Sequence, residues 1–324
     1  MSVISVIGAG AWGTTVAKLI AQKGHRVRLW ARRQETADEI NLYHTNGRYL
    51  PDILLPSEIE ATSELADMSA DAVVIGIPSG YISVITDCHF LGSVPILCLT
   101  KGLLDNPGMP FISDYVADVC RNSSVAVLSG PNLAYEIALE KPALSVVASP
   151  QEDTAAFFQS LLNGPYFRVY ASDDKRGVEV GGIFKNIIAI AAGVCDGLDI
   201  GSNAKAALIS RGLIEMSRFG VGCGAKRPET FYGLSGLGDL VTTCHSTQSR
   251  NYQVGLSLAR HQVLRTDNPA YVAEGVRSAK IIYEMGRQLS LDLPIVNEIY
   301  SMLHDNKSPT AAIHTLMTRT PKYE

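Results

Sequence analysis

Apolar residues in roughly the first 180 positions come in short runs that alternate with segments of helical spacing. Val3, Ile4, Val6 and Ile7 open the chain as a β-branched run, and residues 14–23 follow with Val16, Leu19 and Ile20 on one helical side. Residues 27–30 form a second strand-like run. Residues 72–77, 95–99, 124–128 and 144–148 repeat it, each closed by Gly, Pro or Lys-Gly. Near-continuous apolar runs suit a parallel sheet buried on both faces, so the pattern predicts strands alternating with covering helices. After 167–170, the expected last strand, the texture changes. Residues 178–194 and 204–219 are long, helical in spacing and rich in Ala, Ile, Leu and Gly, and 254–260, 278–288 and 294–303 continue as helices. A boundary is expected at Ala171-Ser172-Asp173-Asp174-Lys175, giving a sheet domain over 1–175 and a helical domain over 176–324.

Composition supports that division. A chain of 324 residues exceeds the usual size of one compact domain, and 46% hydrophobic residues supply two cores. A formal net charge of −4 argues against a nucleic-acid surface or a polybasic membrane patch. The six cysteines include no Cys-x-x-Cys pair and the seven histidines have no ligand spacing, so reduced thiols and no metal are expected. The N-terminus runs straight into glycines without a basic region and apolar core, and no apolar run looks long enough to span a bilayer. A cytoplasmic protein without membrane insertion or nucleic-acid partner is the expectation.

The first candidate chemistry lies where the first strand should end. Gly8-Ala9-Gly10-Ala11-Trp12-Gly13 fits G-x-G-x-x-G between a strand and a helix. Gly8 permits a tight turn, Gly10 lets the backbone approach a pyrophosphate, and Gly13 allows close helix–strand packing. The helix N-terminus adds unpaired N–H groups and partial positive charge. A glycine-rich structural turn is the plainer alternative. After the second strand, the acid that would bind a ribose 2′-hydroxyl is missing, and Trp30-Ala31-Arg32-Arg33 stands there. Two guanidinium groups suit a 2′-phosphate, so NADP(H) is expected ahead of NAD(H), with NAD(H) also accepted. A solvated basic pair is the competing reading.

Further along stand Thr100-Lys101-Gly102-Leu103, Leu128-Ser129-Gly130-Pro131-Asn132, Gly181-Gly182-Ile183-Phe184-Lys185-Asn186, Gly236-Leu237-Gly238-Asp239-Leu240, Gln248-Ser249-Arg250-Asn251 and Val272-Ala273-Glu274-Gly275. In order and approximate spacing this set resembles the bacterial-type NAD(P)-dependent glycerol-3-phosphate dehydrogenases, over nearly the whole chain. The resemblance implies a 6-phosphogluconate-dehydrogenase-like plan: an N-terminal Rossmann domain, an all-helical C-terminal domain and a cleft between them. It implies reversible reduction of dihydroxyacetone phosphate to sn-glycerol 3-phosphate for phospholipid synthesis. It places Lys101, Gly130, Asn132, Lys185, Asp239, Ser249, Arg250 and Asn251 at the substrate, with Lys185 transferring the proton. It places Ala11, Trp12, Arg32, Lys101, Ala134, Arg250, Val272 and Glu274 at the cofactor. Asn132 departs from the family, which usually has Ser or Thr there, and 260–271 looks shorter than in the family.

These residue types suit that reaction. Hydride addition to a ketone leaves negative charge on oxygen, which must be stabilised and protonated. Lys185 stands among Ile183, Phe184, Ile187 and Ile188, where a lysine either serves chemistry or snorkels from a buried face. Asn186 could donate to substrate or fix the lysine. Asp239 could hold Lys185 or cap a helix, and Thr243 would share its helical face. Lys101 follows a strand at its carboxyl end, where ligands bind in open α/β sheets, or simply closes that strand at the surface. Ser249, Arg250 and Asn251 read as a phosphate clamp or a solvated polar turn. Two rival functions are weighed beside the main one: a related dehydrogenase acting on a carboxylate, and a nucleotide sensor without turnover. The Gly-containing helices over 178–219 could serve a homodimer interface or only a core.

Overall fold

The computed structural model describes residues 1–68, 70–106, 108–122, 124–260, 273–321 and 323. Contacts divide the chain into two compact units, Met1–Glu179 and Val180–Glu324. The division falls a few residues beyond 175, because Val178 packs in the first unit's core and Glu179 accepts hydrogen bonds from the Ser113 backbone N–H (2.9 Å) and hydroxyl (2.7 Å).

The first unit is an eight-stranded sheet of β1 (Val3–Ile7), β2 (Arg26–Trp30), β3 (Ile59–Thr62), β4 (Ala72–Ile75), β5 (Ile96–Cys98), β6 (Val125–Ser129), β7 (Ala143–Ala148) and β8 (Phe167–Ser172). Its order is β3-β2-β1-β4-β5-β6-β7-β8. The first six strands run parallel in the 3-2-1-4-5-6 order of a Rossmann sheet. The two-residue period sends alternate side chains into opposite cores. Ala72, Val74, Leu97, Ala126 and Leu128 enter one; Val73, Ile75, Ile96, Cys98, Val125 and Val127 enter the other. Both faces being buried, the runs in the sequence are continuous rather than alternating.

Two features depart from the expected plan. β3 was not among the predicted strands: Ile-Glu-Ala-Thr is short, half polar and at the sheet edge, so it lacks the doubly buried pattern. β7 pairs antiparallel with β6, and β8 parallel with β7. A return without a long crossover helix suits antiparallel pairing, and the connection from β6 to β7 carries only the five-residue α4 defined below.

Among the described residues, five α-helices lie wholly in this unit: α1 (Ala11–Ala21), α2 (Gln34–Tyr43), α3 (Ile112–Val119), α4 (Ala134–Ala138) and α5 (Glu152–Leu162). Lys18 and Lys23 fasten the far end of α1. Lys18 Nζ donates to the Ala138 carbonyl at 2.8 Å, and Lys23 Nζ donates to the Asn163 carbonyl at 2.8 Å. Both carbonyls lie at helix C-termini, where cations are favoured.

The described second unit is helical: α6 (Lys175–Gly197, which begins in the first unit), α7 (Ser202–Gly222), α8 (Asp239–His245), α9 (Arg250–Ala259), α10 (Glu274–Gln288), α11 (Pro294–His304) and α12 (Pro309–Met317). By length and composition α6 could cross a membrane, contrary to the expectation that no run was long enough. However, 94% of its most apolar window is buried, as in the core helix of a globular unit. α9 crosses α6 at backbone contact: a Cβ on Gly255 would lie 1.9 Å from the Ile190 carbonyl oxygen, and one on Gly193 would lie 2.1 Å from that of Tyr252.

Candidate active site

The glycine turn is fixed by sterics. Gly8 has φ +122°, and a Cβ there would stand 2.7 Å from the Gly76 carbonyl oxygen, on the turn after β4. A Cβ on Gly13 would lie 1.9 Å from the Gly8 carbonyl oxygen, so the first turn of α1 rests directly on the turn that precedes it. Around Gly10 a Cβ would meet nothing within 4 Å. Two glycines are thus demanded by packing, and the third keeps an open side. That open side belongs to the N-terminus of α1, whose first-turn N–H groups, Ala11 and Trp12 among them, have no carbonyl one turn earlier within the helix. It also lies where β1 and β4 diverge, at the carboxyl ends of the strands. The turn therefore fits the pyrophosphate of a dinucleotide.

Arg32 follows β2 and is exposed, with its guanidinium carbon 5.3 Å from the centroid of the Tyr81 ring. Arg33 is half-buried and precedes the first turn of α2. Sequence reasoning did not single out Tyr81. The available signal was an aromatic residue just past Pro78-Ser79-Gly80, in the loop after β4.

Lys101 and Gly130 come together within the first unit: Lys101 Nζ donates to the Gly130 carbonyl at 3.3 Å. The loops after β5 and β6 thus meet at the carboxyl end of the sheet. Asn132 is bound into the scaffold. Its Nδ2 donates to the Leu144 carbonyl at 3.1 Å, and its Oδ1 accepts from the Ser145 hydroxyl at 2.9 Å. The larger amide is accommodated by bonds to β7 that a Ser or Thr side chain is too short to make together. Ala134 opens α4 and its carbonyl accepts from the Thr15 hydroxyl of α1 at 3.1 Å.

In the second unit, Lys185 Nζ donates to Asp239 Oδ1 at 2.6 Å and to Thr243 Oγ1 at 2.9 Å. The lysine side chain is 12% exposed and the aspartate 2%. The backbone explains the meeting. Gly181, one turn before Lys185 on α6, has no room for a Cβ because the Ser235 carbonyl oxygen would be 2.4 Å away. The segment Leu234–Gly238 makes a π-helical turn pressed against α6 and delivers Asp239 as the first residue of α8. Such turns are often found at functional sites. Asp239 is not an N-cap by its side chain: α8 has no side-chain cap bond, and the carboxylate takes Lys185 instead. Thr243 donates to the Asp239 carbonyl at 2.7 Å, which turns its oxygen lone pairs to Lys185. Next to it, burial pushes the Cys244 thiol up to about 12, so Cys244 is no thiolate nucleophile.

Ser249 caps α9, accepting from the Tyr252 N–H at 3.3 Å, and Arg250 is exposed in the first turn. Asn251 Oδ1 accepts the Gly275 N–H at 2.9 Å, so the start of α9 is tied to the first turn of α10, where Glu274 stands half-buried. A Cβ on Gly275 would lie 2.7 Å from the Asn186 carbonyl oxygen. Gly275 therefore joins Asn251 to the peptide beside Lys185. Asn186 is itself buried, its Nδ2 directed to the Gly182 carbonyl at 3.5 Å. Val272 lies outside the described residues. Among the described residues, no group of three or more His, Cys, Asp and Glu gathers as a metal site would require.

Models of the NAD-dependent glycerol-3-phosphate dehydrogenase N-terminus and C-terminus match residues 3–155 and 174–314. The chain belongs to that family. It is therefore an NAD(P)-dependent oxidoreductase. It is 42% identical to the glycerol-3-phosphate dehydrogenase (NAD(P)+) of Maridesulfovibrio salexigens over 332 aligned residues, 99% of each protein. The crystal structure of the Coxiella burnetii glycerol-3-phosphate dehydrogenase superposes with a TM-score of 0.91 at 36% identity, covering 98% of this chain and 99% of that one. The Saccharomyces cerevisiae glycerol-3-phosphate dehydrogenase gives 0.82 at 28% identity, covering 97% and 98%.

Proposed function

We propose that this chain reduces dihydroxyacetone phosphate to sn-glycerol 3-phosphate, reversibly, and that its product feeds phospholipid synthesis. The observation that carries the reading is the Lys185–Asp239–Thr243 cluster. The nicotinamide cofactor supplies the hydride. Lys185 commits two of its three N–H bonds to Asp239 and Thr243, and directs the third to the ketone oxygen. There it stabilises the negative charge that develops as the carbonyl is reduced, and then gives up that proton. Asp239 and Thr243 hold the ammonium in place, so little reorganisation is needed at the moment of reaction.

Arg250 and the N-terminus of α9 bind the substrate phosphate, with Ser249 and Asn251 beside them and Asn186 next to the lysine. Lys101, Gly130 and Asn132 complete the substrate contacts. Binding energy at the phosphate, remote from the reacting carbon, holds the ketone in position. The glycine turn with Ala11 and Trp12 binds the cofactor's phosphates, Arg32 and Arg33 its adenosine end, and Lys101, Ala134, Arg250, Val272 and Glu274 its remainder. The two guanidinium groups favour NADP(H), with NAD(H) also used. The six free cysteines suit the reducing cytoplasm. Val221, exposed near the end of α7, and Ile200, exposed just before it, suit a homodimer.

The test is a substrate panel read at the nicotinamide absorbance with NADPH and NADH in parallel. Dihydroxyacetone phosphate should be reduced, while its unphosphorylated counterpart and 2-keto acids should be turned over far more slowly. Equal rates with the unphosphorylated ketone would remove the phosphate clamp, and no turnover with dihydroxyacetone phosphate would overturn the reading.

A further inference from the structure

The glycine turn offers its ligand peptide groups rather than side chains, so the orientation of each peptide matters. Asn46, on the loop after α2, reaches that turn from outside the motif. Its side chain is fully buried. Its Nδ2 donates to the Ala9 carbonyl at 3.0 Å and to Thr14 Oγ1 at 2.9 Å, spanning the turn and the first residues of α1. Only the nitrogen end of an amide can face a carbonyl oxygen, which fixes the orientation of the group. Its Oδ1 takes no donor among the described residues, so the side chain is held by its donor end alone. The carbonyl of the same residue accepts from Tyr49 N (3.0 Å) and Leu50 N (2.8 Å), so the loop closes on Asn46 and keeps its position.

In a trans peptide the C=O and N–H point in opposite directions. The Ala9 carbonyl and the Gly10 N–H belong to one peptide. Drawing the carbonyl towards the buried Asn46 therefore turns the Gly10 N–H the other way, on the residue where an added Cβ would meet nothing within 4 Å. We propose that Asn46 is a positioning residue for the dinucleotide: by holding the Ala9 carbonyl, it aims the Gly10 N–H at the cofactor's pyrophosphate. The inference rests on the reading that this turn binds a dinucleotide.

Asn46→Leu keeps the bulk and removes the donor. Wild type and variant, both full length, are titrated with NADH and NADPH by nicotinamide fluorescence, and the bound cofactor is displaced with ADP, which carries a pyrophosphate, or adenosine, which does not. The dissociation constants for cofactor and ADP should rise roughly tenfold, the effect of leaving the Ala9 carbonyl without its buried donor; the bond to Thr14 is lost in the same variant. The constant for adenosine should stay within about twofold, and the KM for the ketone at saturating cofactor should not move. Equal weakening of ADP and adenosine would show a merely structural role, and no weakening of either would show none; both outcomes overturn the inference. Wild type that binds no nucleotide would instead overturn the reading of the turn itself, and the inference with it. Should the leucine variant fail to fold, Thr14→Val removes the other acceptor and leaves the Ala9 bond in place. It should keep ADP affinity within about twofold, and a tenfold loss would show that the brace acts through α1 rather than through the carbonyl.

Discussion

The glycine turn of the first unit and the lysine cluster of the second are built on opposite principles. At Gly8 and Gly13 the absence of a side chain does the work: neighbouring backbone fills the space where a Cβ would be, and the ligand meets peptide N–H groups. At Lys185 the side chains do it, with an ion pair 2.6 Å long on a lysine 12% exposed. A backbone site tolerates almost any residue between its glycines but no substituent on them. A side-chain site needs particular groups, and the backbone beneath serves to bring them together. Binding and chemistry should accordingly separate under mutation.

Two substitutions test that separation most directly. Lys185→Ala removes the proposed proton donor and leaves the Rossmann turn untouched. Its kcat should fall by roughly a thousandfold, within the range of lost general-acid catalysis, while the dissociation constant for NADPH stays near that of wild type. Gly13→Ala should do the reverse, since the new methyl would stand 1.9 Å from the Gly8 carbonyl oxygen. Cofactor affinity should drop by about a hundredfold and stability by about 1–3 kcal/mol as the turn is forced apart. Direct fluorescence titration separates the two variants from one another. If Lys185→Ala weakens the cofactor as much as Gly13→Ala does, the division into binding and chemical regions is wrong.

Arg250→Ala gives a smaller effect that belongs to neither extreme. Arg250 is exposed, but it stands in the first turn of a capped helix, where side chain and peptide groups could act together on an anion. Its loss should raise the KM for dihydroxyacetone phosphate and lower kcat, each by about tenfold, because phosphate binding also orients the ketone. A rise in KM with unchanged kcat would mean that the phosphate contact only binds.

The same contrast decides what could be read from the sequence. The glycine turn has a local signature, three glycines within six residues after a β-branched run, and needs no knowledge of the fold. The doubly buried strands announced themselves as continuous apolar runs. β3 did not, being half polar at the sheet edge, and the reversed direction of β7 left no trace in hydropathy at all. The lysine cluster has no local signature either. Lys185 and Asp239 are 54 positions apart, and taken alone they read equally well as a snorkelling lysine and a helix cap. Only the ordered set of motifs joined them before the fold did. The commitments of Asn132 to β7 and of Asn251 to Gly275 depend on tertiary geometry that no spacing encodes.

A further effect, on stability alone, concerns a second buried acid of the helical unit, one bonded to peptide N–H groups where Asp239 takes a lysine. Glu215 on α7 accepts the N–H groups of Ile295 (2.7 Å) and Val296 (3.2 Å) in the first turn of α11. Burial raises its carboxyl to about 7, against the opposing pull of those two N–H groups, from about 4.5 when free. The folded value exceeds the unfolded one, so the native state keeps a proton that the unfolded chain has released between those limits. The contribution of Glu215 to stability is therefore fully present below about pH 4.5. It declines by about 1.4 kcal/mol per pH unit towards pH 7, and is gone above it. Glu215→Gln cannot titrate, so the stability difference between wild type and variant, from urea unfolding at pH 5, 6, 7 and 8, should fall up to pH 7 and then level off. Parallel curves would mean that the two peptide N–H groups keep the buried Glu215 carboxylate charged across this range. The contrast between backbone and side-chain sites would then weaken from the electrostatic side.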